Sequence, residues 1–345
     1  MNENVIQKKE NVSALFQVCW YVISFAIFAF FIYRTMNVFK VYDPQPGFIE
    51  PDKAELVDAG KTKITLGLYI RDFVGFDLAK NEITFDGIVS AYFNGHDASL
   101  ADVGKFSFEK GEITRKSEPY VTVLDGITYA FWDVRVRFTA DFNYKAYPLD
   151  NHRIYIVLTN YALAPFVSEF TVPSKDFELA PHITLSEWDI IHKASVTGYM
   201  CEPLRFGPQK TEACFPRAVF ALDCKRHDLN HLLSILLPLL LIFFVTLVSF
   251  SFNVQEFFEA HLVVAIGAIT ALLAYRFVIQ TMAPDVGYFM VSDYLFLLFL
   301  LAIFVAFFIN TTIQSMPLAV KKLLVVALHA FVILGSGAIF LLCCG

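Results

Sequence analysis

Residues 259–284 read EAHLVVAIGAITALLAYRFVIQTMAP, and their two charges, Glu259 and Arg276, decide how the rest of the chain is read. The uncharged run between them, Ala260–Tyr275, is 16 residues long. That is short of the roughly 20 needed to cross about 30 Å of hydrocarbon. It spans only if Glu259 lies at one membrane face and Arg276 near the other. A charge at that depth is costly and by default marks function.

Working outward, the neighbouring uncharged runs Leu229–Gln255, Tyr294–Val320 and Leu323–Gly345 are each long enough to cross by themselves. Residues 231–345 hold only four acids and three bases, whereas residues 41–230 hold 27 of the 33 acids and 20 of the 27 bases. Two solvents have shaped one chain. The whole sequence is 56% hydrophobic, with 37 Phe, and only 17% charged, against roughly 25% charged in soluble domains. Disorder and coiled coil are excluded, and a net charge of −6 excludes a nucleic-acid surface.

A further run, Ala14–Tyr33, follows Lys8 and Lys9. Its twenty residues exceed the roughly 7–15 of a signal-peptide core, so a retained signal-anchor over 1–40 is favoured over a cleaved signal peptide. The basic pair sets the N-terminus in the cytoplasm, residues 41–230 outside, and the connection carrying Lys321 and Lys322 inside again. A multi-pass protein of the cell or inner membrane, surrounded by lipid, is the expectation.

Residues 41–60, with Asp43, Pro44, Pro46, Gly47 and Pro51, read as an extended linker. From Lys61 the apolar period is two. In Thr128–Thr139, Ala130, Trp132, Val134, Val136 and Phe138 alternate with Tyr129, Phe131, Asp133, Arg135 and Arg137. Similar runs occur at Ile64–Phe73, Ile83–Phe93, Ile154–Leu158, Ile183–Thr197 and Ala213–Leu222. No long helical pattern intervenes, so the segment 61–226 is expected to be an all-β, antiparallel sandwich, and 227–345 a four-helix membrane domain. Three cysteines, Cys201, Cys214 and Cys224, fall outside the membrane. A Cys201–Cys214 disulfide closing a hairpin stands beside the alternative of three reduced, buried thiols.

Catalytic constellations are absent: no G-x-S-x-G, no phosphate-cradling glycine loop, no H-E-x-x-H or C-x-x-C. His227 and His231 have i, i+4 spacing but no evident third ligand. Neither an enzyme, a metal site nor a cofactor is expected.

Several motifs share one order. Asp97-Ala98-Ser99-Leu100 follows the strand Ile83–Phe93; Tyr147-Pro148-Leu149-Asp150 precedes the strand Ile154–Leu158; Trp188 stands late in the β segment. Lys225-Arg226 precedes a helix containing Pro238, and Glu259-Ala260 opens a helix that ends at Pro284. In this order and spacing residues 60–345 resemble the pentameric ligand-gated ion channels, in the prokaryotic-type branch that lacks the cysteine pair around the Tyr147–Asp150 turn. Gly95 stands where the family usually has a tryptophan of its aromatic amine-binding box, and the last inter-helix segment is about ten residues long.

The resemblance implies an immunoglobulin-like sandwich, a four-helix bundle with an added N-terminal helix, and a homopentamer around a pore. At helical spacing from Glu259 the pore stripe would be Val263, Gly267, Thr270, Ala274, Phe277 and Thr281. Five copies of Glu259 would form a carboxylate ring that favours inorganic cations, or the residue complements a helix N-terminus. Phe277 would close the pore by dewetting, or faces lipid or a neighbour. Arg276 would pair with Asp285 or Asp293, or snorkel outward; on the axis it would oppose cations. Gating would pass through Tyr147, Pro148 and Asp150, with Arg226 as partner for Asp150. A small-molecule or proton ligand would sit under the Tyr199–Phe215 hairpin, near Phe206, Tyr161 and Phe166, with Tyr92 or Phe93 opposite. Residues 35–60, fully extended, reach about 85 Å at roughly 3.3 Å each, enough for the leader to climb the outside of such a pentamer. The competing reading is a membrane-anchored sensor or assembly subunit that conducts nothing.

Overall fold

A computed structural model describes residues 3–343 except 38–39, 41–42, 48–61, 78–79, 164–167, 186–187, 207–208, 227–228, 249, 251–257 and 313–316. Helix α1 spans Glu3–Met36. Then come β1 (Thr62–Asp77), β2 (Glu82–Asn94), the short helix α2 (Leu100–Val103), β3 (Ser107–Phe108), β4 (Gly111–Lys116), β5 (Tyr120–Leu124) and β6 (Ile127–Thr139). Strands β7 (Asn151–Thr159), β8 (Ser168–Thr171), β9 (Phe177–Leu179), β10 (Trp188–Phe206) and β11 (Gln209–Arg226) follow. Helices α3 (Leu229–Val248), α4 (Phe258–Met282), α5 (Val291–Thr312) and α6 (Leu318–Cys343) complete the chain. These form two compact units: residues 41–143 with 151–227, and residues 1–40, 144–150 and 228–345.

The first unit is built of two sheets. One has seven strands, ordered β4-β6-β2-β1-β8, with β5 also on β6 and β9 also on β1; the other is ordered β10-β11-β7-β3. Period two does the work the alternation predicted. Ala130, Trp132, Val134, Val136 and Phe138 of β6 are all buried, whereas Asp133 and Arg135 on the other face make ion pairs with Arg71 (2.6 Å) and Asp86 (2.6 Å). The sheets meet where Phe85 packs against Phe108 (centroids 5.8 Å apart) and Phe177 against Phe220 (5.1 Å). Asp125 (φ 52°) and Gly126 (φ 79°) take the left-handed conformations that a two-residue hairpin between β5 and β6 requires.

Two expectations are corrected. The sheets are not wholly antiparallel, since β8 and β9 pair with β1 in parallel (Thr62 opposite Ser168, Leu68 opposite Phe177). The chain leaves β7 in one sheet and reaches the edge of the other through a crossover, which permits parallel pairing. The strand expected from Ile183 begins at Trp188, because Pro181 and His182 form a turn and Leu185 makes only an isolated bridge. Of the linker, residues 43–47 are held on this unit. The buried Asp43 carboxylate accepts the N–H groups of Asn143 (2.8 Å) and Arg153 (2.7 Å) and meets His152 Nδ1 at 3.1 Å; Arg217 donates to the Gly47 carbonyl. Residues 48–60 lie outside the described residues.

The second unit is helical. Among the described residues, five stretches are long and apolar enough to cross a membrane: Leu15–Met36, Asn230–Val248, Leu262–Met282, Val291–Ile309 and Ala319–Cys343. Helix α5 is the hub, touching α3, α4 and α6, while α1 lies against α6. The core is made by residues such as Leu239 and Phe243 of α3, Leu272 of α4, Phe299 and Ala302 of α5, and Val332 of α6, all nearly inaccessible. Pro238 sits inside α3, and α4 stops two residues before Pro284.

Candidate functional site

Helix α4 has two faces of opposite character. Ala265, Ala268, Leu272 and Ile279 are buried against the rest of the unit. At 100° per residue these positions centre on the side of the helix opposite Glu259, Val263, Gly267, Thr270, Ala274, Phe277 and Thr281, and all seven of the latter are exposed. Val263 and Phe277 are 69% and 70% accessible. Glu259 occupies the first turn, where a carboxylate also complements the helix dipole.

Arg276 leaves this face. Its guanidinium reaches Asp293 at the start of α5 (2.5 Å) and lies over the Phe296 ring (5.4 Å to the centroid). Of the two carboxylates the sequence offered, only Asp293 is also held by the backbone, accepting the Met290 N–H at 2.8 Å. The exposed stripe therefore carries an acid, two hydroxyls and a glycine, and no base.

At the far end of α4 the Tyr144–Asp150 turn belongs to the helical unit. Tyr147, preceding a cis Pro148, is 1% exposed. Its hydroxyl meets His231 Nε2 of α3 at 2.7 Å and the Met282 carbonyl of α4 at 2.8 Å. Its own carbonyl accepts the Ser292 N–H (3.1 Å), Lys145 accepts that of Val291 (3.0 Å), and the Tyr288 hydroxyl accepts that of Tyr144 (2.9 Å). One turn thus grips three helix ends. The sequence singled out Tyr147 but gave His231 no role, setting it beside His227 at i, i+4 spacing without a third ligand; His231 is engaged by Tyr147, His227 lies outside the described residues, and no group of three or more ligating side chains occurs among the described residues. Asp150 is buried, and Arg226 stacks over Trp188 (4.2 Å to the centroid).

In the β unit, Cys201 and Cys214 sit opposite each other on β10 and β11 and form a disulfide. Cys224 is free and buried, which pushes its thiol up to about 12. Near the disulfide, Tyr161 is half exposed, with its hydroxyl 3.3 Å from Glu202 and its ring 5.0 Å from Phe215. Burial and then the Glu202 charge raise its pKa above the usual phenol value. Tyr199 is 1% exposed and its hydroxyl, pushed up to about 12 by burial, belongs to the interior rather than to a surface site. Phe93 is corrected too. It shares the parity of Ile83, Phe85, Val89 and Ala91 and is buried with them, whereas Tyr92 points the other way, against Tyr129 (5.1 Å) and Phe131 (6.2 Å). Phe166 and the side chain of Phe206 lie outside the described residues. Glu202 is the polar group that sequence reading missed, its signal being only a charge one residue past a cysteine. Compared with models of protein families and with characterised proteins, the chain matches none.

Proposed function

We propose that this chain is one subunit of a pentameric, ligand-gated, cation-passing channel, with an immunoglobulin-like β-sandwich outside the membrane and a pore lined by α4 within a bundle of α3–α6. The observation that carries the reading is the exposed face of α4. A helix packed through Ala265, Ala268, Leu272 and Ile279 leaves Glu259, Gly267, Thr270 and Thr281 unburied. Hydrocarbon is a poor solvent for a carboxylate, so that face borders water. Five such faces around an axis enclose a channel whose Glu259 ring attracts cations, with Arg276 withdrawn onto Asp293. Phe277 supplies an apolar constriction suited to gating by dewetting. The basic residues Lys8, Lys9, Lys321 and Lys322 fit a cytoplasmic Glu259 end and an outside β unit. The ligand, a small molecule or a proton, acts on the β unit near Tyr161, Glu202 and Phe215, and the grip of Tyr147 on His231 and Met282 is the route by which occupancy reaches α4.

Reconstitution in liposomes with ion-flux recording at several pH values tests this. Cation flux that Glu259→Ala abolishes, or whose preference over anions falls by about tenfold, is expected. A silent protein that is not pentameric would replace the reading with that of a non-conducting assembly subunit.

A further inference from the structure

The stretch Leu15–Met36 of α1 is apolar enough to cross a membrane, yet it carries Gln17, Tyr21 and Ser24 at i, i+4, i+7 spacing, continued by Phe28 and Phe31. All of its polar row turns inward. Gln17 and Ser24 are 6% and 5% exposed, while Leu15, Val18, Val22, Phe25, Phe30 and Tyr33 face outward. Each polar group has a partner in the bundle. Gln17 donates to the Leu247 carbonyl (3.4 Å) and Tyr21 to that of Phe244 (3.3 Å). Leu247 lies in the last turn of α3, whose carbonyls have no partner within the helix and no water in hydrocarbon. Ser24 meets His329 Nδ1 at 2.7 Å. That histidine, in the middle of α6, is fully buried, boxed by the rings of Trp20, Tyr21, Phe243 and Phe244 at 5.5–6.1 Å.

The shape of α6 agrees with its polarity. A side chain at Gly337 would come within 3.1 Å of the Phe31 ring, so glycine is what lets α1 approach there. Lys322, at the other end of α6, lies 5.4 Å from the Phe16 ring, which fixes α1 as parallel to α6. An uncleaved helix merely tethering the chain would have no reason to face Gln17, Tyr21 and Ser24 into the bundle, and α6 without α1 would present a histidine to lipid.

We propose that α1 is a permanent fifth membrane helix of the mature subunit, docked on α3 and α6 of its own chain through the Gln17–Tyr21–Ser24 row. The inference rests on the membrane reading of the helices and not on conduction, so it stands or falls separately from the channel.

The test uses the full chain purified from membranes. Intact mass is measured on the unaltered protein, and two double variants in a Cys19→Ser background, Ser24→Cys with His329→Cys and Gln17→Cys with Leu247→Cys, are oxidised and mapped by peptide mass. A full-length N-terminus and an intrachain bridge in either pair are expected; the second pair keeps His329 in place should its loss disturb folding. An N-terminus beginning beyond about residue 33 would make α1 a cleaved leader and overturn the proposal. Bridges formed only between chains, or no bridge in either pair of a full-length chain, would overturn docking on its own subunit.

Discussion

The apolar stretches of α1 (Leu15–Met36) and α4 (Leu262–Met282) are matched, at 22 and 21 residues with mean hydropathies of 2.2 and 2.3, and both leave most of their surface outside the core of the helical unit, yet their polar residues lie on opposite sides. Helix α1 turns Gln17, Tyr21 and Ser24 inward and offers Leu15, Val18, Val22, Phe25 and Phe30 to its surroundings. Helix α4 turns Ala265, Ala268, Leu272 and Ile279 inward and offers Glu259, Gly267, Thr270 and Thr281 among exposed apolar residues such as Val263 and Phe277. The exposed faces of α5 and α6, with Leu297, Leu301, Phe304, Phe308, Leu323 and Leu334, follow α1. Since hydrocarbon rejects carboxylates and accepts leucine, the contrast accords with the proposal that α4 borders water where the other helices border lipid.

The strongest attempt to break this contrast places one lysine mid-helix on each face. Phe25→Lys should cost about 2.5–3.5 kcal/mol, the usual penalty for lysine at a membrane helix centre, and lower the yield of membrane-integrated protein accordingly. Thr270→Lys should leave assembly much less affected while removing cation flux. Equal losses of assembled protein, measured by size-exclusion chromatography, would erase the distinction between the two faces.

Arg276→Gln sharpens the α4 side. It strands Asp293, whose side chain is 6% exposed, and breaking a buried pair from one side costs about 3–5 kcal/mol, with the lower end expected because Arg276 itself is partly accessible. Adding Asp293→Asn should recover most of the lost melting temperature in detergent; failure to recover would mean that Arg276 acts elsewhere, including on the exposed stripe. Tyr147→Phe removes hydroxyl contacts to His231 and Met282 and should cost about 1–2 kcal/mol. In a His231→Ala background the same change should cost measurably less, and strict additivity would argue against a shared grip on the helix ends.

The smallest effect belongs to the β unit, whose ion pairs border water. The Arg135 guanidinium, bonded to Asp86 at 2.6 and 2.7 Å, holds that carboxyl below its ordinary value of 3.8. A depressed carboxylate stabilises the fold above its unfolded pKa and loses that contribution as pH falls through the folded value. Melting curves recorded between pH 5 and 2.5 should therefore fall less steeply for Asp86→Asn than for the unaltered chain. Parallel curves would remove this pair from the acid response.

How far sequence reached depended on the range of the interaction being read. The alternation through Ala130–Phe138 and the stripe from Glu259 to Thr281 depend on residues two to four apart, and both appear in the structure as spaced. Phe93 was misread although β2 held the signal, since its parity with Phe85 and Val89 already put it in the interior. Strands β8 and β9, four and three residues long, are too short for any period to register, and their parallel partners lie roughly a hundred residues earlier. Arg276 had two carboxylates within reach of its chain, Asp285 and Asp293; only the path between α4 and α5 selected the second.

By itself the sequence determined where each solvent is, because partition between water and hydrocarbon is a property of residues counted along a helix or strand. It therefore determined five apolar stretches, a charged β segment and the one short uncharged run bounded by Glu259 and Arg276. Tertiary structure decided which side of each helix is covered, and with it that Tyr147 joins His231 to Met282, that Ser24 meets His329, and that Arg276 is turned away from the exposed stripe. The first two outcomes depend on contacts 84 to 305 residues apart and the third on one made across the connection between α4 and α5, geometry that no local period encodes.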